Sequence, residues 1–242
     1  MPAATGGVST AYGAEALKVY RQKHTYYTRV LDHLGKPTPG ALLLDLGAGI
    51  GVFAKLAVDR GWQVTAVEPS EGASRFCREH MGLQHVVAED FLQAQRTPHS
   101  YSVITMWCVL AHIPEPLSIL QRCHYLLRLG GVLFMHSPNV GFQLAYKRLL
   151  AAAGREFLLH LDDHIIQFDR WSLSRTLGRA SFDPPRFRYF GETARCGNSE
   201  LPLLLTAKRC YNLVAAILSQ TSWWRTVLTS ELQILVKPRA GS

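Results

Sequence analysis

The sequence lacks paired cysteines, long apolar runs and repeats, and each absence removes a class of protein. Its five cysteines, Cys77, Cys108, Cys123, Cys196 and Cys210, form no CxxC pair and show none of the dense spacing of a secreted disulfide scaffold. Reduced thiols in a cytoplasmic protein are therefore expected. Met1 to Thr10 is small and polar, without a basic run leading into an apolar core, so it does not read as a secretory signal; a frayed tail is expected there. The most apolar late stretch, Leu201 to Leu218, is interrupted by Pro202, Lys208 and Arg209, which is costly in a membrane-spanning helix. It reads as a buried or lid helix, and any membrane contact would be peripheral. No internal repeat or low-complexity tract argues for a solenoid or a disordered arm.

What remains is a chain of 242 residues, 48% hydrophobic, enough to fill one sizeable core. Lys and Arg number 26 against 18 Asp and Glu, a formal charge of +8. Such a charge attracts nucleic acid, an anionic membrane face or an acidic metabolite, but the basic residues are scattered, so an ordinary basic protein is the preferred reading.

Apolar and aromatic residues recur at helical spacing from Ala14 to Leu34, until Gly35 and Pro37 stop the pattern. Short apolar runs then alternate with helical patterns. Strands are expected at Ala41 to Leu46, Gln63 to Val67, His85 to Ala88, Ser102 to Trp107 and Gly131 to His136, with helices at Val52 to Arg60, Gly72 to His80 and Pro116 to Leu129. This alternation predicts an α/β fold of parallel βαβ units. After Val140 come a helical and loop insertion, Phe142 to Phe168, a helix at Trp171 to Ala180, and two further strands, Phe187 to Phe190 and Glu231 to Val236.

Asp45-Leu46-Gly47-Ala48-Gly49-Ile50-Gly51 lies where the first strand gives way to a helix, a place where glycine permits a sharp turn and close approach of a ligand. A dinucleotide fingerprint would need a third glycine at position 52, which is Val52, so the spacing is G-x-G-x-G. Glu68, with Pro69 and Ser70, ends the second strand, where a carboxylate can accept from both hydroxyls of a ribose. Ala88-Glu89-Asp90-Phe91 ends the third, offering carboxylates to an adenine amino group and an aromatic ring to its face. The bland alternatives are a tight turn, exposed strand-end charges and core packing for Phe91; the three features together favour a ligand.

The glycine spacing with Asp45 in front resembles the first motif of class I S-adenosylmethionine-dependent methyltransferases, whose loop packs on the methionine part of the cofactor. The segment Ile104 to Pro116 and the turn Leu126 to Leu133, with Ser137-Pro138-Asn139, resemble the fourth-strand and fifth-strand segments of the ubiquinone-biosynthesis type of small-molecule O-methyltransferases. The likeness covers residues 40 to 140 closely and echoes from His164 to Phe182. It implies a Rossmann-like sheet, mostly parallel with the last strand antiparallel, carrying helical lid insertions. One methyltransferase domain over 1–242 is expected: an N-terminal helical lid (1–40), a cofactor core (41–140), lid insertions with one core helix and strand (141–229) and a last strand (230–237).

The cofactor expected from the resemblance is S-adenosyl-L-methionine, held by Asp45, Gly47, Ala48, Gly49, Gly51, Glu68, Pro69, Ser70, Glu89, Asp90, Phe91 and Trp107. Where ubiquinone-type enzymes carry carboxylates this chain has Cys108 and Ala111, so no metal is expected. Ser102 stands where relatives often have Asp. His160 and His164 share helical spacing but lack the Glu of an HExxH site, and a solvated turn is preferred over a metal there.

Two residues are candidate general bases: His112, just past the fourth strand, and His164, from the insertion. His112 reads equally as a residue packing the loop before Pro114. His136 lies in an apolar run and is expected to point into or beneath the sheet; Cys108 reads as an inert buried thiol. Tyr26, Tyr27, Asn139 and Tyr146 are candidate substrate-pocket residues, with Phe142, Phe157, Trp223 and Trp224 adding aromatic surface to the expected lid, although aromatic richness fits a core equally well. The expected activity is methylation, at oxygen, of a small apolar metabolite. The alternatives are methylation of nucleic acid, for which the second proline and the aromatic of the amino-methyltransferase signature are missing at Ser137 to Val140, and a cofactor-binding partner subunit without turnover.

Overall fold

A computed structural model describes residues 5–152, 154, 164–190 and 231–239. It forms two compact units. The first holds the chain to Trp107 together with Tyr125–Val132; the second holds Cys108–His124, residues 133–190 and the chain from Glu231.

Helix α1 spans Thr5–Leu34, starting well upstream of the expected boundary: the chain expected to fray is helical from Thr5. No proline lies between Pro2 and Pro37, and extending an existing helix adds one hydrogen bond per residue without a new nucleation cost. It ends at Gly35, whose φ of 82° only glycine adopts cheaply and whose N–H returns to Leu31 O at 3.0 Å. Strands β1 (Leu42–Leu46), β2 (Gln63–Val67), β3 (Val86–Val87) and β4 (Tyr101–Trp107) are parallel, with β1 between β2 and β4. The runs of β1 and β4 are buried on both faces, as a covered parallel sheet requires. Helices α2 (Val52–Asp59) and α3 (Glu71–Glu79) follow β1 and β2, and α1 packs on both. The start of α3 is marked by Ser70, whose hydroxyl accepts the Ala73 N–H, with Glu71 in the first turn.

Helix α4 (Pro116–Leu126) is shorter than expected, and β5 starts directly after it and runs Leu127–Pro138. At Gly131 an added Cβ would lie 2.9 Å from Arg128 O and 3.1 Å from Tyr101 O, so the chain turns there at a spacing open only to glycine. Helix α5 is Val140–Ala152, and α6 is Arg170–Arg179, opened by a capping box between Asp169 and Ser172. Backbone and hydroxyl donation from Ser172 hold the Asp169 carboxyl below its usual range.

Strand β7 (Glu231–Val236) is antiparallel to both β5 and β6 (Arg186–Phe187). The sixth strand is shorter than expected because, beyond it, the side chain of Gln233 replaces the backbone ladder: its Oε1 accepts Phe190 N–H at 2.6 Å. Across the described residues the strand order is β3-β2-β1-β4-β5-β7-β6, mostly parallel with the last strand antiparallel, as expected. No helix of the described residues is long and apolar enough to cross a membrane. The expected lid residues 155–163 and 201–224, including Phe157, His160, Trp223 and Trp224, lie outside the described residues.

Candidate active site

In a parallel sheet the strands deliver their carboxyl ends to one edge, and in the first unit those ends carry the glycine loop, Glu68 and Asp90. All three loop glycines have positive φ: 70° at Gly47, 56° at Gly49 and 78° at Gly51. They are glycine for different reasons. A Cβ on Gly51 would sit 2.8 Å from Cys77 Sγ and 2.9 Å from Leu83 Cδ1, so this residue lets the loop press onto α3. A Cβ on Gly49 would meet nothing within 4 Å, so this residue faces space that a ligand can enter. Gly47 and Ala48 both donate to Val67 O, at 2.8 and 3.0 Å, which fastens the loop to the end of β2.

Glu68 completes that fastening. One carboxylate oxygen accepts Gly49 N–H at 2.7 Å and the other accepts Ser70 N–H at 2.9 Å. Each oxygen keeps a second lone pair, so the residue can hold the loop and still accept a ligand hydroxyl. Pro69 and Ser70 are exposed beside it. At the end of β3, Asp90 Oδ1 accepts Leu92 N–H at 2.9 Å, and Glu89 pairs with Arg96 at 2.5 Å. Glu89 is thus held by a guanidinium that its spacing did not announce. Phe91 is 4% exposed and belongs to the core of this structure.

Asp45 has no exposed surface. Burial pushes its carboxyl from 3.8 up to about 7, against the opposing effect of the Thr105 hydroxyl, 2.7 Å away, and of the Trp107 indole. Its position ties β1 to β4 beneath the loop. Trp107 carries the tie outwards into an aromatic cluster, with ring centroids 4.5 Å from Tyr27, 4.6 Å from Phe53 and 5.6 Å from Tyr26. Tyr26 and Tyr27 are 3% and 5% exposed, so this structure packs both as core side chains of the first unit.

In the second unit His112 ends a short 3-10 turn, Leu110–His112, and is exposed. His164 lies beside it, ring centroids 4.7 Å apart at 33°, and Ile166 N–H to Ala111 O at 3.0 Å fastens the two segments together. The two candidate bases, far apart in sequence, thus form one pair. Asn139 is buried and its Oδ1 accepts Phe142 N–H at 3.4 Å, capping α5. Tyr146 is on α5, and its side chain lies outside the described residues.

His136 is buried, as expected, but not among apolar groups alone: Nδ1 is 3.0 Å from Cys108 Sγ and Nε2 is 2.9 Å from Glu231 Oε2. Cys108, expected to be buried, is instead partly exposed, with φ at 60°. Spacing gave no signal of this cluster, which assembles from the residue after β4, from β5 and from β7. Cys77 fits the inert description, its thiol pushed up to about 12 by burial.

A family profile for the methyltransferase domain matches residues 19–184. The chain belongs to the methyltransferase domain family. A ubiquinone biosynthesis O-methyltransferase of Pseudomonas paraeruginosa is 33% identical over 128 residues, half of this chain and 53% of that protein. One from Azoarcus sp. is 29% identical over 184 residues, 74% of this chain and 71% of that protein. The chain spans about half the length of the curated relatives it matches first. Among solved structures, a SAM-dependent methyltransferase from Archaeoglobus fulgidus aligns at a TM-score of 0.58 with 15% identity, covering 91% of this chain and 98% of the other. Another, titled a possible histamine N-methyltransferase, from Thermotoga maritima, aligns at 0.59 with 14% identity over 96% and 99%. These two likenesses concern the fold.

The methyltransferase domain uses S-adenosylmethionine as methyl donor. The residues present fit that group: open space at Gly49, a strand-end carboxylate at Glu68 with lone pairs to spare, and Asp90 at the next strand end.

Proposed function

We propose that this methyltransferase domain transfers a methyl group to an oxygen of a small, rather apolar metabolite. The observation that carries the cofactor half of this reading is the double use of Glu68, which fixes the Gly49 amide and stands at the strand end where ribose hydroxyls are received. Gly47, Ala48, Gly49 and Gly51 form the wall beside the methionine portion, Glu68 with Pro69 and Ser70 takes the ribose, and Glu89 and Asp90 meet the adenine, with Phe91 packed in the core behind them. Asp45 and Trp107 support the loop from below. When bound, S-adenosylmethionine supplies an electrophilic methyl on a sulfonium, a good leaving group, so placing the acceptor in line does most of the work.

A hydroxyl acceptor must also lose its proton. His112 and His164 are the residues proposed to take it, because a neutral imidazole accepts a proton near neutral pH and the paired rings offer that service side by side. Asn139 and Tyr146, near the start and middle of α5, are proposed to meet the acceptor. The names of the relatives, ubiquinone biosynthesis O-methyltransferases, support oxygen and a small acceptor over nucleic acid. The whole chain is proposed to act as one methyltransferase domain. The test is incubation with methyl-labelled cofactor and a metabolite extract from the source organism, followed by identification of the labelled product. Label in a small methyl ether supports the reading; label in RNA, or none in any fraction despite cofactor binding, overturns it.

A further inference from the structure

The cluster after β4 is built as a nucleophile rather than as packing. Cys108 Sγ lies 3.0 Å from His136 Nδ1, and His136 Nε2 lies 2.9 Å from Glu231 Oε2, so thiol, imidazole and carboxylate stand in one line of hydrogen-bond distances. That is the arrangement of an activated cysteine: a nucleophile within reach of a base, and the base oriented by a third group. The sheet enforces it. Antiparallel register sets Gln233 opposite His136, which puts Glu231, two residues back on β7, on the same face as a diagonal neighbour. On the other side Cys108 N–H donates to His136 O at 2.9 Å, fixing the cysteine backbone against β5. Cys108 holds a φ of 60°, a left-handed conformation that is strained for a non-glycine residue.

Charge argues the same way. Burial disfavours an imidazolium, yet the neighbouring Cys108 and Glu231, by charge and by hydrogen bonding, outweigh it and raise the affinity of His136 for a proton. Cys77 and Cys123, which have no such partner and are buried, have their thiols pushed up instead. Cys108 is also partly exposed, unlike either of them.

We propose that Cys108, His136 and Glu231 form a thiolate site, distinct from the His112 and His164 pair, that reacts with small soft electrophiles and above all with hydrogen peroxide. In the peroxide reaction the thiolate sulfur attacks one oxygen, an S–O bond forms and the O–O bond breaks. The sulfur is oxidised to a sulfenic acid and the peroxide reduced. The departing hydroxide takes the His136 proton and leaves as water, so the ion pair is consumed together with the thiolate.

The test is alkylation of the native full-length protein by iodoacetamide from pH 5 to 10, with the rate at each cysteine read by mass spectrometry of its peptide. Cys108 is expected to reach its half-maximal rate at least about 1.5 pH units below the roughly 8.5 of a free thiol, and at pH 6 to react about tenfold faster than a free cysteine peptide. Cys77 and Cys123 are expected to remain unlabelled over the same interval. His136→Gln, which keeps a polar side chain without its charge, is expected to return the Cys108 profile to the ordinary thiol range, and Glu231→Gln to move it part of the way. After a peroxide pulse, a dimedone adduct is expected on Cys108 and not on Cys77 or Cys123. The wild-type profile decides even if the variants fail to fold: a midpoint at or above the free-thiol value, or no alkylation of Cys108 at any pH while the denatured chain is labelled, overturns the proposal.

Discussion

The strand ends of the first unit and those of the second reach order by opposite routes. At the ends of β1 and β2 the backbone does the work: three left-handed glycines and a carboxylate accepting two amides make a loop whose partners are almost all close neighbours in the fold's own progression. At the ends of β4 and β5 side chains do it, as His112 meets His164 and Cys108 meets His136 and Glu231 from distant segments. The difference teaches where each kind of site is legible. A backbone site needs particular φ values and hence particular residues at fixed spacing. A side-chain site needs only that two groups meet, which spacing does not encode.

The comparison breaks most visibly if the side-chain pair contributes nothing to turnover. His112→Ala is expected to lower kcat about 10²- to 10⁴-fold, the usual worth of a positioned base, with cofactor affinity unchanged by calorimetry. Near-wild-type turnover in that variant with a large loss in His164→Ala would move the role to its neighbour. No loss in either would mean that proximity alone drives transfer, to an acceptor already nucleophilic at neutral pH.

Next in size is the buried acid beneath the loop. Because burial raises Asp45 from 3.8 to about 7, the folded chain keeps a proton that the unfolded chain has released between those values. Stability of the cofactor-free protein should therefore fall as pH rises from about 4 to about 7, by at most about 4 kcal/mol, and this cost should stay constant above that window. Urea titrations of wild type and Asp45→Asn check it: the Asn variant, which keeps an oxygen for Thr105, should lose that slope. An equal slope in both would show that Asp45 ionises freely when folded.

The two glycines separate packing from ligand space. Gly51→Ala is expected to destabilise the fold by about 2–3 kcal/mol, from positive φ plus overlap with Cys77 and Leu83. Gly49→Ala should cost about 1–2 kcal/mol of strain, yet weaken cofactor binding more than Gly51→Ala does. Equal effects of the two on binding would remove the distinction. Glu68→Ala should weaken S-adenosylmethionine by about 1–3 kcal/mol, the range of charge-assisted hydrogen bonds, and calorimetry showing tighter binding of NAD would sink the cofactor assignment. The smallest expected effect is none: with Cys108 and Ala111 where ubiquinone-type relatives carry carboxylates, activity should persist in excess EDTA. Loss restored by magnesium would refute that.

Sequence alone was enough for the parallel strands and the glycine turn. Buried strands must read as apolar runs, and left-handed φ values demand glycine, so Leu42–Leu46, Gln63–Val67 and Gly47 to Gly51 announced themselves. Family resemblance added the antiparallel last strand. It did not anticipate helix from Thr5, where no residue type forbade it, nor the early start of β5, since Leu126 to Leu129 is as apolar as the helix before it. Tertiary structure alone decided that Tyr26 and Tyr27 pack around Trp107 and that Arg96 takes Glu89. It also decided that Cys108, His136 and Glu231 share one face, because strand register, set by burial along whole strands, fixes which distant side chains become neighbours, and no residue in the trio carries that information by itself.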